Sequence, residues 1–291
     1  MKIGVVYPQT ELKGDPEALR QLGLATEELG YDHLLMYDHV VGAVHADRDP
    51  PLWGPYQETD PFHDPLVAFG YLAGITQTIE LVTGVLILPQ RQTALVAKQA
   101  TDLDLLSGER LRLGVGTGWN YVEYDALGQD FAVRGPRIDE QVAFLRQLWS
   151  EAVSSFDGEY DHLDRGNINI RPNRQIPIWF GGFSEPAFRR AGATGDGFIF
   201  AGPLEGGQGA VGGVLDGWIR IKEHLQANDR SVSGFGADYV MLASRSVDET
   251  LETLKRWEDA GGTHASVVTM GMDLGPAQAH IDYIADVKAR L

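Results

Sequence analysis

Strand-like and helix-like stretches alternate eight times along these 291 residues, and that rhythm restricts the fold more than any single motif. Short β-rich runs cover 2–7, 33–38, 79–88, 111–116, 176–180, 197–200, 237–243 and 265–270. Helix-period segments follow over 16–29, 65–76, 93–107, 136–149, 184–194, 210–227, 247–260 and 276–290. Repeated βα units demand parallel strands, because two parallel neighbours need a long crossover between them. Eight units in a chain of this length predict an α/β protein, a (β/α)8 TIM barrel forming one domain over 1–291. A doubly wound open sheet is the alternative. It is disfavoured because Tyr7-Pro8-Gln9, and no G-x-G-x-x-G, follows the first strand. Two connections are too long to be turns, 39–64 and 150–175, and read as insertions. Only the first leaves the C-terminal end of a strand, where barrel sites are built.

Composition narrows the partners. Forty-one acidic against 24 basic residues leave a net charge of −17, which speaks against nucleic acid and anionic membranes. One phosphate on a small ligand needs only local donors and stays compatible with that charge. No apolar run of about 18 residues exists to span a membrane, and MKIGVVYPQTE reads as a first strand, with no signal-peptide core. Cysteine is absent, which removes thiolate catalysis, disulfides and cysteine-based metal sites and makes the cytoplasm the expected location.

Several strand ends carry candidate chemistry. In 176–200, IPIWFGGFSEPAFRRAGATGDGFIF, a buried strand runs into Gly181-Gly182, then Phe183 and Ser184 at a helix start with Pro186 in the first turn. Glycines let an anion approach the backbone, and free amides at a helix N-terminus attract phosphate. Asp38 and His39 close the second strand, where a carboxylate beside an imidazole tunes a proton carrier. Thr83-Gly84-Val85 places glycine inside the third strand, a mark of a bulge or close ligand approach. The fourth strand ends in LGVGTGWN, whose Gly116 and Gly118 open space while Thr117 and Asn120 supply polar groups. It is no Walker motif. His39, His45 and His63 share one loop without HExxH spacing, so no metal site is expected. No G-x-S-x-G elbow occurs.

Three blocks, YDHLLMYDHV, LVTGVLILPQRQTALVAKQATDLDLLSGERLRLGVGTGWN and IPIWFGGFSEPAFRRAGATGDGF, stand in order at strand ends. Together they resemble the luciferase-like monooxygenase superfamily, in particular its deazaflavin (coenzyme F420)-dependent oxidoreductase branch. The resemblance spans nearly the whole chain. It implies a barrel with insertions, usually a homodimer, holding flavin or deazaflavin at its C-terminal face. It implies a cis peptide bond at Gly84–Val85, with Thr83, Gly84 and Val85 against the ring. Gly116, Thr117, Gly118 and Asn120 would line the ring or its side chain, and Gly181, Gly182, Phe183 and Ser184 the phosphate. Asp38 and His39 match a pair near the reactive ring edge. Two departures weigh against sugar-phosphate oxidation: Trp119 replaces that branch's glutamate, and Gly42 and Ala43 stand where it has a tryptophan. A site walled by Trp53 and Trp119 suits an apolar or aromatic substrate. The expected function is F420-dependent hydride transfer to or from a small organic molecule. The alternatives are an FMN-dependent monooxygenase and a non-catalytic flavin- or deazaflavin-binding protein.

Overall fold

In the computed structural model, described for residues 1–206, 212–242 and 245–291, eight parallel strand positions close into a ring. In chain order the elements begin with β1 (Lys2–Val6), α1 (Gln9–Leu12), α2 (Pro16–Glu28), β2 (His33–Met36) and α3 (Pro65–Ala73). Next come β3 (Glu80–Thr83), β4 (Leu86–Ile87), α4 (Thr93–Ser107), β5 (Leu111–Gly116), α5 (Tyr121–Ala126) and α6 (Arg134–Ser150). A hairpin of β6 (Ser154–Asp157) and β7 (His162–Gly166) precedes β8 (Ile178–Gly181), α7 (Glu185–Thr194), β9 (Gly197–Ala201) and α8 (Val214–Ala227). The chain closes with β10 (Gly236–Met241), α9 (Val247–Asp259), β11 (His264–Val268) and α10 (Ala277–Ala289). The strand order β3-β2-β1-β11-β10-β9-β8-β5 is closed by the β3–β5 pairing. The expected eightfold barrel is therefore present.

Side-chain alternation sorts the core into two layers, as strands buried on both faces require. Val6, Leu35, Val82, Trp179, Ile199, Val240 and Val268 fill the bore. Their neighbours Val5, Leu34, Leu81, Phe180, Phe198, Tyr239 and Val267 pack outward against the helices. Below the bore's apolar layer lies a charged plug. Arg112 Nη1 donates to Asp238 Oδ2 at 3.0 Å, and Ser266 Oγ donates to Asp238 Oδ1 at 3.0 Å. His33 Nε2 lies 2.8 Å from Ser266 Oγ, and the Arg112 guanidinium stacks 4.2 Å from the Trp179 ring centroid. Burial alone would raise the Asp238 carboxyl; attraction from His33 and Arg112 outweighs it and holds the group well below the carboxylate range. Burial, reinforced by Arg112, pushes neighbouring His264 down to about 3.

The structure differs locally from the sequence reading in two places. The run 79–88 is two strands, β3 and β4, parted by a cis peptide bond at Gly84–Val85, as the resemblance implies. Short helices α1 and α5 stand in stretches read as loop. The 150–175 insertion carries two short β-like pieces, as its sequence suggests; they pair as an antiparallel hairpin on the flank of α6, with Phe156 stacked on Phe144 at 4.5 Å and Glu140 accepting the amides of Glu159, Tyr160 and Asp161. The expected helix start at 210 and strand end at 243 lie outside the described residues. No helix among the described residues is long and apolar enough to cross a membrane.

Candidate active site

A cavity of about 470 Å³ opens at the C-terminal ends of the strands, within the roughly 300–1,000 Å³ usual for small-molecule sites. Its floor follows from inward-facing glycines. On β5 the bore positions are Arg112, Gly114 and Gly116; on β8 they are Trp179 and Gly181, so the large residues lie low and the upper bore is clear. Gly114 is required by close approach: a Cβ there would fall 1.9 Å from the Thr83 carbonyl oxygen. Thr83 itself is fully buried and donates to the Gly114 carbonyl at 2.7 Å, beneath the cavity and outside its lining. Val85 occupies the cleared space, within 2.6 Å of where a Cβ on Gly116 or Gly181 would be.

The structure brings Asp38, His39, Gly84, Val85, Gly116, Thr117, Gly118, Trp119, Gly181, Gly182, Phe183 and Ser184 to this one cavity. Gly182 has φ +151, a conformation L side chains rarely adopt. Ser184 takes the N-cap position of α7, yet its hydroxyl makes no capping bond. That leaves the hydroxyl available at the mouth beside the guanidinium-bearing Arg134 and Arg190, which also line the cavity. Arg190 Nε donates to Asp139 at 2.7 Å, and Arg134 lies 3.7 Å over the Phe131 ring. Neither arginine carries a sequence signal of its own.

Besides Thr83, two expected residues lie elsewhere. Trp53 is 81% exposed and outside the lining, so it forms no wall of the cavity. The loop meets Trp119 through Gly54 instead, where a Cβ would sit 2.2 Å from the indole. Asn120 is buried below the rim, capping α5 by accepting from Val122 N and donating to the Val41 carbonyl. It is not a lining residue.

The Asp38–His39 pair is divided, because consecutive side chains leave a strand end in different directions. Asp38 Oδ1 accepts from Arg91 Nη2 at 2.6 Å, and its Oδ2 accepts from the Ile87 amide at 2.9 Å. Burial pushes the Asp38 carboxyl up, with Arg91 opposing. The partner of His39 is Glu123, whose Oε2 lies 3.3 Å from Nδ1. Aromatic rings surround the imidazole: Phe62 at 4.9 Å, Tyr56 at 5.2 Å and Trp119 at 5.6 Å between centroids. Phe62 and Tyr56 come from the 39–64 loop, which folds back over the mouth.

The residues present fit a flavin-type group. The glycine floor accepts a flat ring beside Val85, and Gly181–Ser184 with Arg134 and Arg190 offers donors at the opposite end. Tyr37 also lines the cavity, its buried hydroxyl without a partner among the described residues. Burial, with Tyr56 nearby, pushes that phenol well above its ordinary value, so it stays a donor. A wider bowl of about 700 Å³ lies at the opposite mouth, lined by Lys2, Glu80, Arg112 and His264 among others. Within it, Arg112 pairs with both Asp238 and Glu80.

A closed parallel barrel with its ligand cavity at the C-terminal mouth places the chain among (β/α)8 enzymes. The family is narrower. Residues 1–268 match the luciferase-like monooxygenase family, and the chain belongs to it. An uncharacterized protein of Mycobacterium tuberculosis is 32% identical over 271 residues, 89% of each chain. An F420-dependent glucose-6-phosphate dehydrogenase of Kineococcus radiotolerans is 30% identical over 203 residues, 68% of this chain and 56% of that protein. The fold is shared with an F420-dependent secondary alcohol dehydrogenase solved with an F420–acetone adduct, at TM-score 0.77 and 17% identity over 99% of this chain and 98% of that one. The protein is an oxidoreductase, and its cofactor is of the F420 or flavin type.

Proposed function

We propose that this protein is an F420-dependent oxidoreductase that transfers hydride between bound deazaflavin and a small apolar or aromatic substrate. The carrying observation is His39, an imidazole on the cavity wall with one ring nitrogen fixed by a buried carboxylate. When bound, the deazaflavin supplies a hydride donor or acceptor. Exchange of hydride with an alcohol or carbonyl also moves a proton on oxygen, and His39 Nε2 would take or return it. Gly181, Gly182 and Ser184 would hold the phosphate, and Gly84, Val85, Gly116, Thr117 and Gly118 the ring. Trp119 and Tyr56 form an aromatic wall, with Phe62 packed behind Tyr56 and His39, which supports an apolar or aromatic substrate over a sugar phosphate. Relatives that carry F420 in their names support that cofactor over FMN. The same reading includes a cytoplasmic homodimer, for which exposed Val67, Tyr71, Leu95 and Leu106 on adjacent α3 and α4 supply apolar surface.

Absorbance and fluorescence titration with F420 and FMN in parallel tests this reading. F420 is expected to bind at micromolar or lower concentration and FMN more weakly. Tighter FMN binding would turn the assignment toward a monooxygenase, and binding of neither would end it. His39→Ala is expected to lower turnover roughly 10²-fold or more while cofactor affinity stays within a few-fold.

A further inference from the structure

Helix α5 is six residues long, yet two of its side chains hold the backbone that leaves β2. Asn120 at its N-cap donates to the Val41 carbonyl at 3.3 Å. Glu123, one turn into the helix, is 1% exposed. Its Oε1 accepts from the amides of Val40 at 2.7 Å and Val41 at 3.1 Å, and its Oε2 faces His39 Nδ1 at 3.3 Å. A carboxylate at the third helical position ordinarily reaches back to the N-cap amide. Here it reaches across 84 residues of sequence instead.

We infer that Glu123 is a positioning residue that fixes the tautomer of His39, keeping the proton on Nδ1 and leaving Nε2 as the free base on the cavity side. An ionised carboxylate only accepts hydrogen bonds, so a neutral ring bonded to it must carry its proton on Nδ1. Nε2 has no protein partner among the described residues and is then an acceptor. A hydroxyl of a bound substrate can give its proton to Nε2 as hydride leaves the adjacent carbon for the cofactor; the reverse reaction returns both. In the other tautomer Nε2 would already hold a proton and could not act as the base. Among the described residues the groups around the ring leave Glu123 alone in this role: Tyr56, Phe62 and Trp119 present rings, and Asp38 is engaged by Arg91.

The inference rests on His39 as proton carrier, and the decisive variant separates the two ideas. In Glu123→Gln the side-chain oxygen can still accept from Val40 and Val41, so a purely structural clamp would be preserved. Its amide group can only donate toward Nδ1, which forces the proton to Nε2. Imidazole nitrogen shifts of isotope-labelled histidine, assigned with His39→Ala and read at alkaline pH without cofactor, report the tautomer directly. The wild-type protein is expected to show the Nδ1–H form and Glu123→Gln the Nε2–H form. With cofactor and substrate, kcat of Glu123→Gln should fall roughly 10²-fold or more, with cofactor Kd within a few-fold and an unchanged melting temperature. An Nε2–H ring in the wild type overturns the inference even if the variant fails to fold. So does a variant that keeps Nδ1–H, or one that inverts the tautomer while turning over normally. Normal turnover in His39→Ala, by contrast, would remove the proton carrier while leaving the tautomer result standing.

Discussion

At the scale of single residues, the cavity depends on positions where a side chain has been withheld. Gly182 lies at φ +151 where the chain turns from β8 into α7, and a Cβ there would already press on Ala187 at 3.0 Å. Gly182→Val should therefore close the backbone approach and weaken a phosphate-bearing cofactor much more than a riboflavin-like analogue lacking phosphate. Parallel titrations of the two ligands would decide it; equal losses would point to misfolding or to another phosphate site. Gly114 serves packing: even the methyl of Gly114→Ala meets the Thr83 carbonyl. Overpacking of this kind costs about 1–3 kcal/mol, visible as a lower urea midpoint, and the displaced Thr83 should disturb the floor under Val85. A variant as stable as the parent would show that the β3 end yields freely.

At the scale of elements, the 39–64 loop is pinned at both ends by one side chain. Arg91 donates to Asp38, at the exit of β2, and to Asp64, which caps α3 through the Val67 amide. Removing one member of a buried ion pair strands the other charge, typically at about 3–5 kcal/mol. Arg91→Met should lose stability on that order, and the loop should become cleavable under limited proteolysis. Asp38→Asn added to Arg91→Met should recover part of the loss; if it recovers none, the stranded charge is not the cause. The elements themselves were readable where their signals are local. Helix α4 and strand β5 have the predicted bounds, since Gly108, in the left-handed conformation at φ +74, stops one before the other begins. Helix α5 escaped because it is short and follows a glycine loop. The Glu123–His39 and Arg91–Asp38 contacts escaped because they join residues 84 and 53 positions apart, which no local pattern encodes. Adjacency in sequence suggested Asp38 as the partner of His39; the strand end sent the two side chains apart.

At the scale of the whole molecule, the charged plug ties folding to pH. His264 falls from an ordinary value of ~6.5 to about 3 in the fold, so between these values the unfolded chain binds a proton that the folded chain refuses. Stability is therefore lost as pH drops from roughly 6.5 toward 3, at no more than ~1.4 kcal/mol per pH unit for this group. Asp238 acts with the same sign lower down, its contribution lost as pH falls below the ~3.9 of an unfolded aspartate. Urea midpoints measured from neutral to mildly acidic pH should fall less steeply in His264→Gln, and coincident slopes would assign the acid sensitivity elsewhere. The barrel itself was legible from eight alternations, because strand-helix rhythm is written locally and closure follows from count and length. The plug was not, since it joins inward side chains of four different strands. It also determines traffic. With the bore sealed beneath Val6, Leu35, Val82 and Val268, the one opening that the described residues leave to cofactor and substrate is under the loop that carries Tyr56 and Phe62. On the proposed reading the ring rests on the glycine floor and the substrate above it, so they must queue: cofactor enters first and leaves last. Saturating substrate should then slow cofactor release, and the steady-state kinetics should be ordered, with the substrate acting as a stopper for the molecule beneath it.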